Sequence, residues 1–394
     1  MKIAFLSFYS GHLYRGVETF TDELAKRLAK DKNSQIDVYQ SGPQNEKTNY
    51  HTIVKKVIFP KVWPDDTLAD KHVLKRLFLH YYKRKEFSFF LKILPNLLSE
   101  KYDWIIPQNS GWPVIIIRII TLFTKTKITF IGHSGPGWDD RWHLLCHPDV
   151  FVCLTQRQFN WAKRATVWKN QKFVIIPNGV DLKKFKPSAR VKPLQLQKPI
   201  ICIAAATEKS KNIDKTIKAV SLLKKGSLLV LGKGSLDKEI DNLGKKLLGK
   251  NYLHVQIPNA QMPEYYRACN LFTMCSESSE AFGIVYLEAL SCNLPVVATD
   301  DQSRHQIIGN AGLYVKNPAD AKEYANTLQR ALSKNWGNLP QAQAQKFDWD
   351  KIAKEYNYLF LEEDLEDQID IQAVKEADFS KGKDLEKVLK KLKI

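Results

Sequence analysis

Residues 271–299 read LFTMCSESSEAFGIVYLEALSCNLPVVAT, and they decide the fold class. A β-rich run, Leu271–Cys275, is followed by a helical segment, Gly283–Ser291, and then by a second β-rich run, Pro295–Thr299. Short apolar runs of this kind are typical of buried parallel strands, and a helix that joins two of them forms a βαβ unit. The stretch therefore predicts part of a parallel sheet that is covered by helices.

The same alternation continues along the chain in both directions. Further strands are predicted at Ile3–Phe8, Ile36–Gln40, Val57–Phe59, Trp104–Pro107, Ile128–Ile131, Phe151–Leu154, Phe173–Ile176, Ile200–Ala206, Leu228–Gly232 and Leu253–Ile257. Helices are predicted at Thr19–Lys30, Leu68–Lys85, Ile213–Lys225, Asp237–Leu248 and Pro263–Asn270. Two βα series in tandem predict an α/β protein with two doubly wound, Rossmann-like domains that face a cleft.

Length and composition indicate where these domains end. A chain of 394 residues exceeds the roughly 250–300 residues that one core usually holds. We expect a first domain over 1–186, a proline-rich linker over 187–199 and a second domain over 200–345. A helix over 346–365 is expected to return to the first domain, and 366–394 to form a charged tail.

The charge of the chain points to an anionic partner. Sixty Lys and Arg residues against 42 Asp and Glu residues give a net charge of +18, which attracts nucleic acid, acidic lipid or a phosphorylated small molecule. No nucleic-acid-binding module is recognisable and the basic residues are spread out, so no nucleic acid is expected. Basic residues flank the apolar face of the predicted helix Leu68–Lys85, which suits either a solvated face or peripheral contact with an anionic membrane.

The cysteines and the apolar segments bear on location. The six cysteines stand singly, without the spacing of a zinc site, and are interpreted as buried thiols in a reducing compartment. The most apolar stretch, Trp112–Phe123, is interrupted by Arg118 and is shorter than the ~20 residues of a membrane span. We therefore expect a cytoplasmic protein without a metal site, which could touch the inner face of a membrane.

Two glutamates, Glu280 and Glu288, flank the predicted helix start at Gly283. A glycine there lets a ligand approach the backbone, and the free amides of Gly283, Ile284 and Val285 suit a pyrophosphate. Both glutamates could instead be ordinary surface charges of an amphipathic helix. The coincidence of the glycine, the helix start and the following strand favours a phosphate-binding site.

The segment Glu280–Glu288 resembles the E-x7-E element of the retaining glycosyltransferases of glycosyltransferase family 4, which have the GT-B fold. Residues 177–187 are similar to the segment that closes the first domain in that family, and the resemblance covers roughly Lys2 to Phe360. It implies that a hexose-type sugar passes from a UDP- or GDP-linked donor to a glycan, lipid-linked or small-molecule acceptor. It also implies retention of the anomeric configuration, no bound cofactor and a place in cell-envelope polysaccharide or glycolipid biosynthesis.

The resemblance implies roles for individual residues. Lys211 matches the lysine that binds the donor diphosphate, and His133 matches the histidine that faces the donor sugar. Ala206 stands where the family usually has an arginine, so either Lys209 or another cation substitutes, or donor binding is weaker. A solvated loop lysine and a structural histidine are the alternatives for the first two residues.

The implied catalytic residues are Glu280 and His133. For Gly16, Gly232 and Gly234 of the donor-binding set, a plain βα turn is the alternative interpretation. Asn178 and Gly179 are expected to form an interdomain hinge. The implied donor-binding residues are Gly16, Lys211, Gly232, Gly234, Phe282, Gly283, Ile284, Val285 and Glu288.

Two other functions fit part of the sequence. A nucleotide-sugar epimerase or hydrolase would use the same architecture, because a fold does not determine a reaction. A non-catalytic basic protein would bind membrane or nucleic acid through its charge.

Overall fold

The computed structural model describes residues 1–13, 15–44, 48–57, 81–108 and 112–361. The chain divides into two compact units, Met1–Ile352 and a second unit that begins at Ala353. Two parallel sheets lie in the first unit. Of the second unit the structure describes only the last turns of one helix.

The first sheet has seven parallel strands. Their apolar runs are buried between helices. The strands are β1 (Lys2–Leu6), β2 (Gln35–Gln40), β3 (His51–Val54), β4 (Trp104–Pro107), β5 (Lys127–Ile131), β6 (Val150–Cys153) and β7 (Lys172–Ile175), in the order β3-β2-β1-β4-β5-β6-β7. The helices are α1 (Gly16–Leu28), α2 (Tyr81–Ser99), α3 (Trp112–Leu122), α4 (Trp138–Leu145) and α5 (Gln156–Ala165).

The second sheet has six parallel strands and the same construction. The strands are β8 (Ile200–Ala204), β9 (Ser227–Leu231), β10 (Tyr252–Val255), β11 (Leu271–Met274), β12 (Val296–Thr299) and β13 (Gly312–Val315), in the order β10-β9-β8-β11-β12-β13. The helices are α6 (Ile213–Ser221), α7 (Asp237–Leu248), α8 (Met262–Ala268), α9 (Ile284–Ser291), α10 (Gln302–Ile308), α11 (Ala321–Ser333) and α12 (Leu339–Ala344), and a last helix, α13 (Trp349–Leu361), follows them in the chain. Within the described ranges, no helix has the length and apolar character of a membrane span.

The predicted α/β class with two doubly wound sheets is confirmed, whereas one predicted strand is wrong. Val57 is not in a strand, and the rest of the predicted Val57–Phe59 lies outside the described residues. The edge strand is instead β3, a four-residue run in which only Ile53 and Val54 are apolar. Most of the predicted helix Leu68–Lys85 also lies outside the described residues, and α2 includes its last five. The proposed domain boundaries stay predictions.

The turn after the first sheet packs closely on the start of α13. A Cβ added to Gly179 would lie 2.6 Å from Cδ2 of the buried Trp349. The Val180 amide donates to the Phe347 carbonyl at 2.8 Å, and the Trp349 amide donates to the Val180 carbonyl at 3.3 Å. The Trp349 ring in turn lies 5.5 Å from that of Phe20 on α1. Only a residue without a side chain fits at position 179.

A buried carboxyl group supports the loop that follows β5. Asp140 on α4 is fully buried, and Nε2 of Gln158 donates to its Oδ2 at 2.7 Å and to the Gly132 carbonyl at 2.7 Å. Burial raises the pKa of Asp140 to about 8, although the hydrogen bond from Gln158 opposes this shift. Gln158 therefore links the start of the loop at Gly132 to a buried carboxyl group that favours its neutral form.

Replacing Gly179 by alanine should lower the free energy of unfolding by about 1–3 kcal/mol, because the added methyl group overlaps the Trp349 ring. Urea unfolding monitored by circular dichroism measures the change. The control is Gly16→Ala at the start of α1, where an added Cβ meets no atom of the described residues within 4 Å. Equal stability of the two variants would contradict the packing described here.

Replacing Asp140 by asparagine should flatten the pH dependence of stability. The folded-state pKa of about 8 lies above the ordinary value of 3.8, so the contribution of Asp140 is complete below pH 3.8 and is lost as pH rises towards 8. Asparagine cannot ionise, so the variant should gain stability over the parent chain between pH 5 and pH 8, by at most about 1.4 kcal/mol per pH unit. Urea unfolding at each pH tests this, and parallel curves for the two proteins would refute it.

Candidate active site

A polar cavity of about 220 Å³ lies where the two sheets meet. Its walls come from loops after β5, β8 and β11, which all leave the carboxyl ends of parallel strands. Doubly wound sheets bind ligands at such edges. The cavity is lined by His133, Ser134, Ser210, Lys211, Glu277, Ser279, Glu280 and Ala281.

An ion pair joins two of the predicted site residues in this cavity. Lys211 ends a short 3₁₀ helix after β8, and Glu280 lies on the loop between β11 and α9. The Nζ atom of Lys211 lies 2.5 Å from Oε2 of Glu280, and both side chains are largely buried. Of the described residues that line this cavity, Lys211 is the only cation.

His133, from the loop after β5, also lines this cavity. Its ring packs edge-on against Phe20 at 4.6 Å, and no hydrogen bond to its Nε2 is found among the described residues. Burial, followed by the neighbouring His143, lowers the pKa of His133 to about 3. The ring is therefore neutral near pH 7 and offers one donor and one acceptor nitrogen.

A buried arginine that the sequence did not reveal holds the Glu280 loop. Arg304 on α10 is fully buried, and its guanidinium bonds the Asp301 carboxylate. Its Nη2 atom donates to Ser276 Oγ at 2.6 Å and to the Glu277 carbonyl at 3.0 Å. The Glu277 amide then donates to the Ser210 carbonyl at 2.8 Å. Arg304 thus connects the loop that carries Glu280 with the loop that carries Lys211.

The amino end of α9, which follows β11, presents backbone amides at the carboxyl-end edge of the second sheet. Within the described part of the chain no side chain caps this helix, and its N-cap is Gly283 at φ +79°, in the left-handed region. A Cβ at that position would lie 2.5 Å from the Tyr286 ring. Ile284 lines a second cavity, whereas Phe282 is buried with its ring 6.3 Å from that of Phe347. Uncapped amides and the helix dipole favour an anion here.

Glu288 lines the second cavity, which has a volume of about 520 Å³ and also borders Lys184, Asn259 and Ile284. Its carboxylate accepts a hydrogen bond from the Tyr266 hydroxyl at 2.9 Å. Burial raises the pKa of Glu288, and this hydrogen bond and Lys184 oppose the shift. The two glutamates of the E-x7-E segment therefore line separate cavities on either side of the start of α9.

Three glycines of the predicted site lie outside both cavities. Gly232 has φ +152°, and a Cβ there would lie 1.9 Å from the Ala205 carbonyl oxygen. A Cβ at Gly234 would lie 2.7 Å from the Thr207 amide nitrogen. These two glycines are explained by backbone packing, and Gly16 begins α1 with open space around it. Their donor-binding roles stay predictions.

Among the residues that the structure describes, the first cavity has no second cation to replace the arginine that Ala206 lacks. Lys209 is exposed and does not line either cavity, whereas Lys184 lines the second. Lys184 Nζ bonds Oδ1 of Asn259. Within the described parts of the chain, no group of His, Cys, Asp and Glu side chains could hold a metal ion.

Solved structures with the same fold cover nearly the whole chain. Sucrose-phosphate synthase from Thermosynechococcus elongatus is 20% identical with a TM-score of 0.74, and the match covers 91% of this chain and 98% of that one. HepE from Anabaena, solved with UDP and glucose, is 16% identical with a TM-score of 0.70, over 91% of this chain and 99% of that one. At these identities the similarity establishes the fold alone, which is GT-B.

Curated relatives match over shorter segments. O-antigen chain mannosyltransferase B of Escherichia coli is 34% identical over 99 residues, which are 24% of this chain and 26% of that protein. The matches span only about a quarter to a half of the length of the first such relatives.

Two family models match consecutive parts of the chain and leave little of it uncovered. Glycosyltransferase Family 4 matches residues 14–184, and Glycosyl transferases group 1 matches residues 185–372. This chain belongs to the group 1 glycosyltransferases of glycosyltransferase family 4.

Proposed function

We propose that this chain transfers a hexose-type sugar from a nucleotide-sugar donor to an acceptor, with retention of the anomeric configuration. One observation carries the proposal: the Lys211–Glu280 pair lies in a polar cavity beside the uncapped amino end of α9. An ammonium group and helix amides together suit a diphosphate. A carboxylate and a neutral imidazole that line the same cavity suit the hydroxyl groups of a sugar.

The donor would bind across the start of α9. Its diphosphate would contact Lys211 and the amides of Gly283 to Val285, in competition with the Glu280 carboxylate for the ammonium group. The ribose hydroxyls would bond Glu288 in the second cavity, beside Tyr266. Glu280 and His133 would then orient the transferred sugar in the first cavity.

The reaction requires no nucleophile from the protein. The acceptor hydroxyl oxygen attacks the anomeric carbon on the face from which the diphosphate departs, and the bond from that carbon to the phosphate oxygen breaks. The acceptor proton passes to the departing phosphate, so the products are the glycoside and a nucleoside diphosphate. Electrostatic stabilisation of the leaving diphosphate by Lys211 and the α9 amides would supply most of the rate.

The donor base and the acceptor are proposed more broadly. HepE was solved with UDP and glucose, which supports a UDP-linked donor, and a GDP-linked donor is kept as the second choice. The name of the O-antigen mannosyltransferase supports a glycan or lipid-linked acceptor of the cell envelope, and a small-molecule acceptor fits the same cleft. We propose a cytoplasmic location for this reaction.

Replacing Lys211 by methionine should weaken binding of UDP or GDP by at least about tenfold, because a charged hydrogen bond to phosphate is lost. Isothermal titration with each nucleotide gives the dissociation constants. The matched control is Lys209→Met, two positions away on the same loop, where the side chain is exposed and outside both cavities. Equal weakening in both variants would remove Lys211 from the donor site.

Replacing Glu280 by glutamine should reduce sugar transfer about 100-fold or more while nucleotide binding is retained, because a negative charge that orients the sugar is lost. Product formation with and without acceptor is followed by NMR, and the exposed Glu208→Gln is the control. Undiminished transfer would exclude Glu280 from the reaction. A free epimerised sugar nucleotide from the unaltered chain would instead identify an epimerase.

A further inference from the structure

Four helices of the first sheet end at the same edge of that sheet. Helix α2 lies between β3 and β4 in the chain, α3 between β4 and β5, α4 between β5 and β6, and α5 between β6 and β7. Each of these connections crosses the sheet in the same direction, towards β7. Right-handed crossovers therefore place all four on one face. Each runs back to the amino end of the next strand, so the helix ends lie opposite the carboxyl-end cavities.

Large apolar side chains are exposed at these helix ends. Phe123 is 85% exposed, Val167 66% and Leu122 65%, although moving such side chains out of water lowers the free energy. Each apolar residue is one of the last two residues of one of the four helices or lies within three residues after its end. The set, which we call the basal surface, comprises Leu98, Leu122, Phe123, Leu145, Val167 and Trp168.

Contacts between the helix ends make the basal surface continuous. The Trp168 ring lies 4.6 Å from that of His147, and Nη2 of Arg118 on α3 lies 3.5 Å from His147 Nδ1. Thr126, just after α3, donates to the carbonyl of Tyr102, just after α2, at 2.8 Å. The exposed residues of the four helices therefore belong to one surface.

The rim of the basal surface is positively charged. Its carboxylates are already engaged: Glu100 and Asp103 both bond Lys2, and Asp149 bonds Arg118. The exposed cations at the same helix ends and strand starts are Lys101, Lys125, Lys163, Arg164, Lys169 and Lys172.

We propose that the basal surface docks on the headgroup region of a membrane that contains anionic lipid. Phe123 and Trp168 would enter the interface, while the surrounding lysines and arginine face the lipid phosphates. A second copy of this chain would present the same positive rim and be repelled. Since no helix of the described ranges could cross a bilayer, the contact would be peripheral. This proposal does not depend on the proposed sugar transfer.

Co-sedimentation of the full chain with lipid vesicles tests the docking surface. The chain should bind vesicles of phosphatidylcholine and phosphatidylglycerol, and bind phosphatidylcholine alone much more weakly. The double variant Phe123→Ser, Val167→Ser should reduce partitioning onto the anionic vesicles by at least about tenfold, since two exposed apolar groups are lost. Charge reversal by Lys125→Glu with Lys169→Glu should also reduce it and lessen its sensitivity to salt.

The matched control is Leu222→Ser with Leu339→Ser, at 53% and 45% exposed positions around the second sheet. This control variant should bind the vesicles as the parent chain does. The lysine-rich end of the chain is present in all variants, so its attraction to anionic lipid does not affect the comparison between them. Failure of the parent chain to bind, or equal binding by the Phe123 variant, would overturn the proposal. A dimer in light scattering that the Phe123 variant abolishes would assign the surface to a second copy instead.

Discussion

The site depends on the burial of one guanidinium group. Arg304 has no contact with water, and a buried charge is tolerated only when hydrogen bonds satisfy it. Its partners are the Asp301 carboxylate, the Ser276 hydroxyl and the Glu277 carbonyl. Because these bonds fix the loop after β11 and that loop bonds the loop after β8, Lys211 and Glu280 meet in one place.

The same loop is also where the two sheets touch. Gly135, at φ +77°, leaves no room for a side chain, since a Cβ there would lie 2.7 Å from the Ser279 carbonyl oxygen. The Gln156 amide at the start of α5 donates to Oε1 of Gln306 at 2.9 Å. Main chain that follows the first sheet and main chain that follows the second therefore approach each other closely beside the first cavity.

Much of the fold could be predicted from the sequence, because buried parallel strands are continuous apolar runs. The predicted Trp104–Pro107 and Asp237–Leu248 coincide with β4 and α7, and most other predicted elements differ by a few residues at their ends, whereas α4, α5, α10, α11, α12 and β13 were not predicted. Helix α3 was not predicted as a helix, because it is apolar nearly throughout, with Arg118 as its one charged residue, and so has only a weak 3.6-residue period. Strand β3 was missed for the opposite reason, because two of its four residues, His51 and Thr52, are polar.

The site was predictable only where local sequence carries it. Glu280, Gly283 and Glu288 are close in sequence, and their positions around a helix start follow from its geometry. Arg304 bonds the loop at Ser276 and Glu277, and Asp140 bonds Gln158 on another helix. A single sequence gives no sign of such contacts. The pKa of His133 likewise results from burial by α1, which no local pattern shows.

The direction of the strands has a consequence for how far an acceptor must extend. A five-residue strand rises about 17 Å, and the candidate site and the basal surface lie at opposite ends of the first sheet. A bilayer beneath the helix ends would therefore be at least the height of the sheet away from the reacting carbon. Short headgroups could not cover that distance, whereas the distal end of a long, flexible saccharide chain could fold back to it.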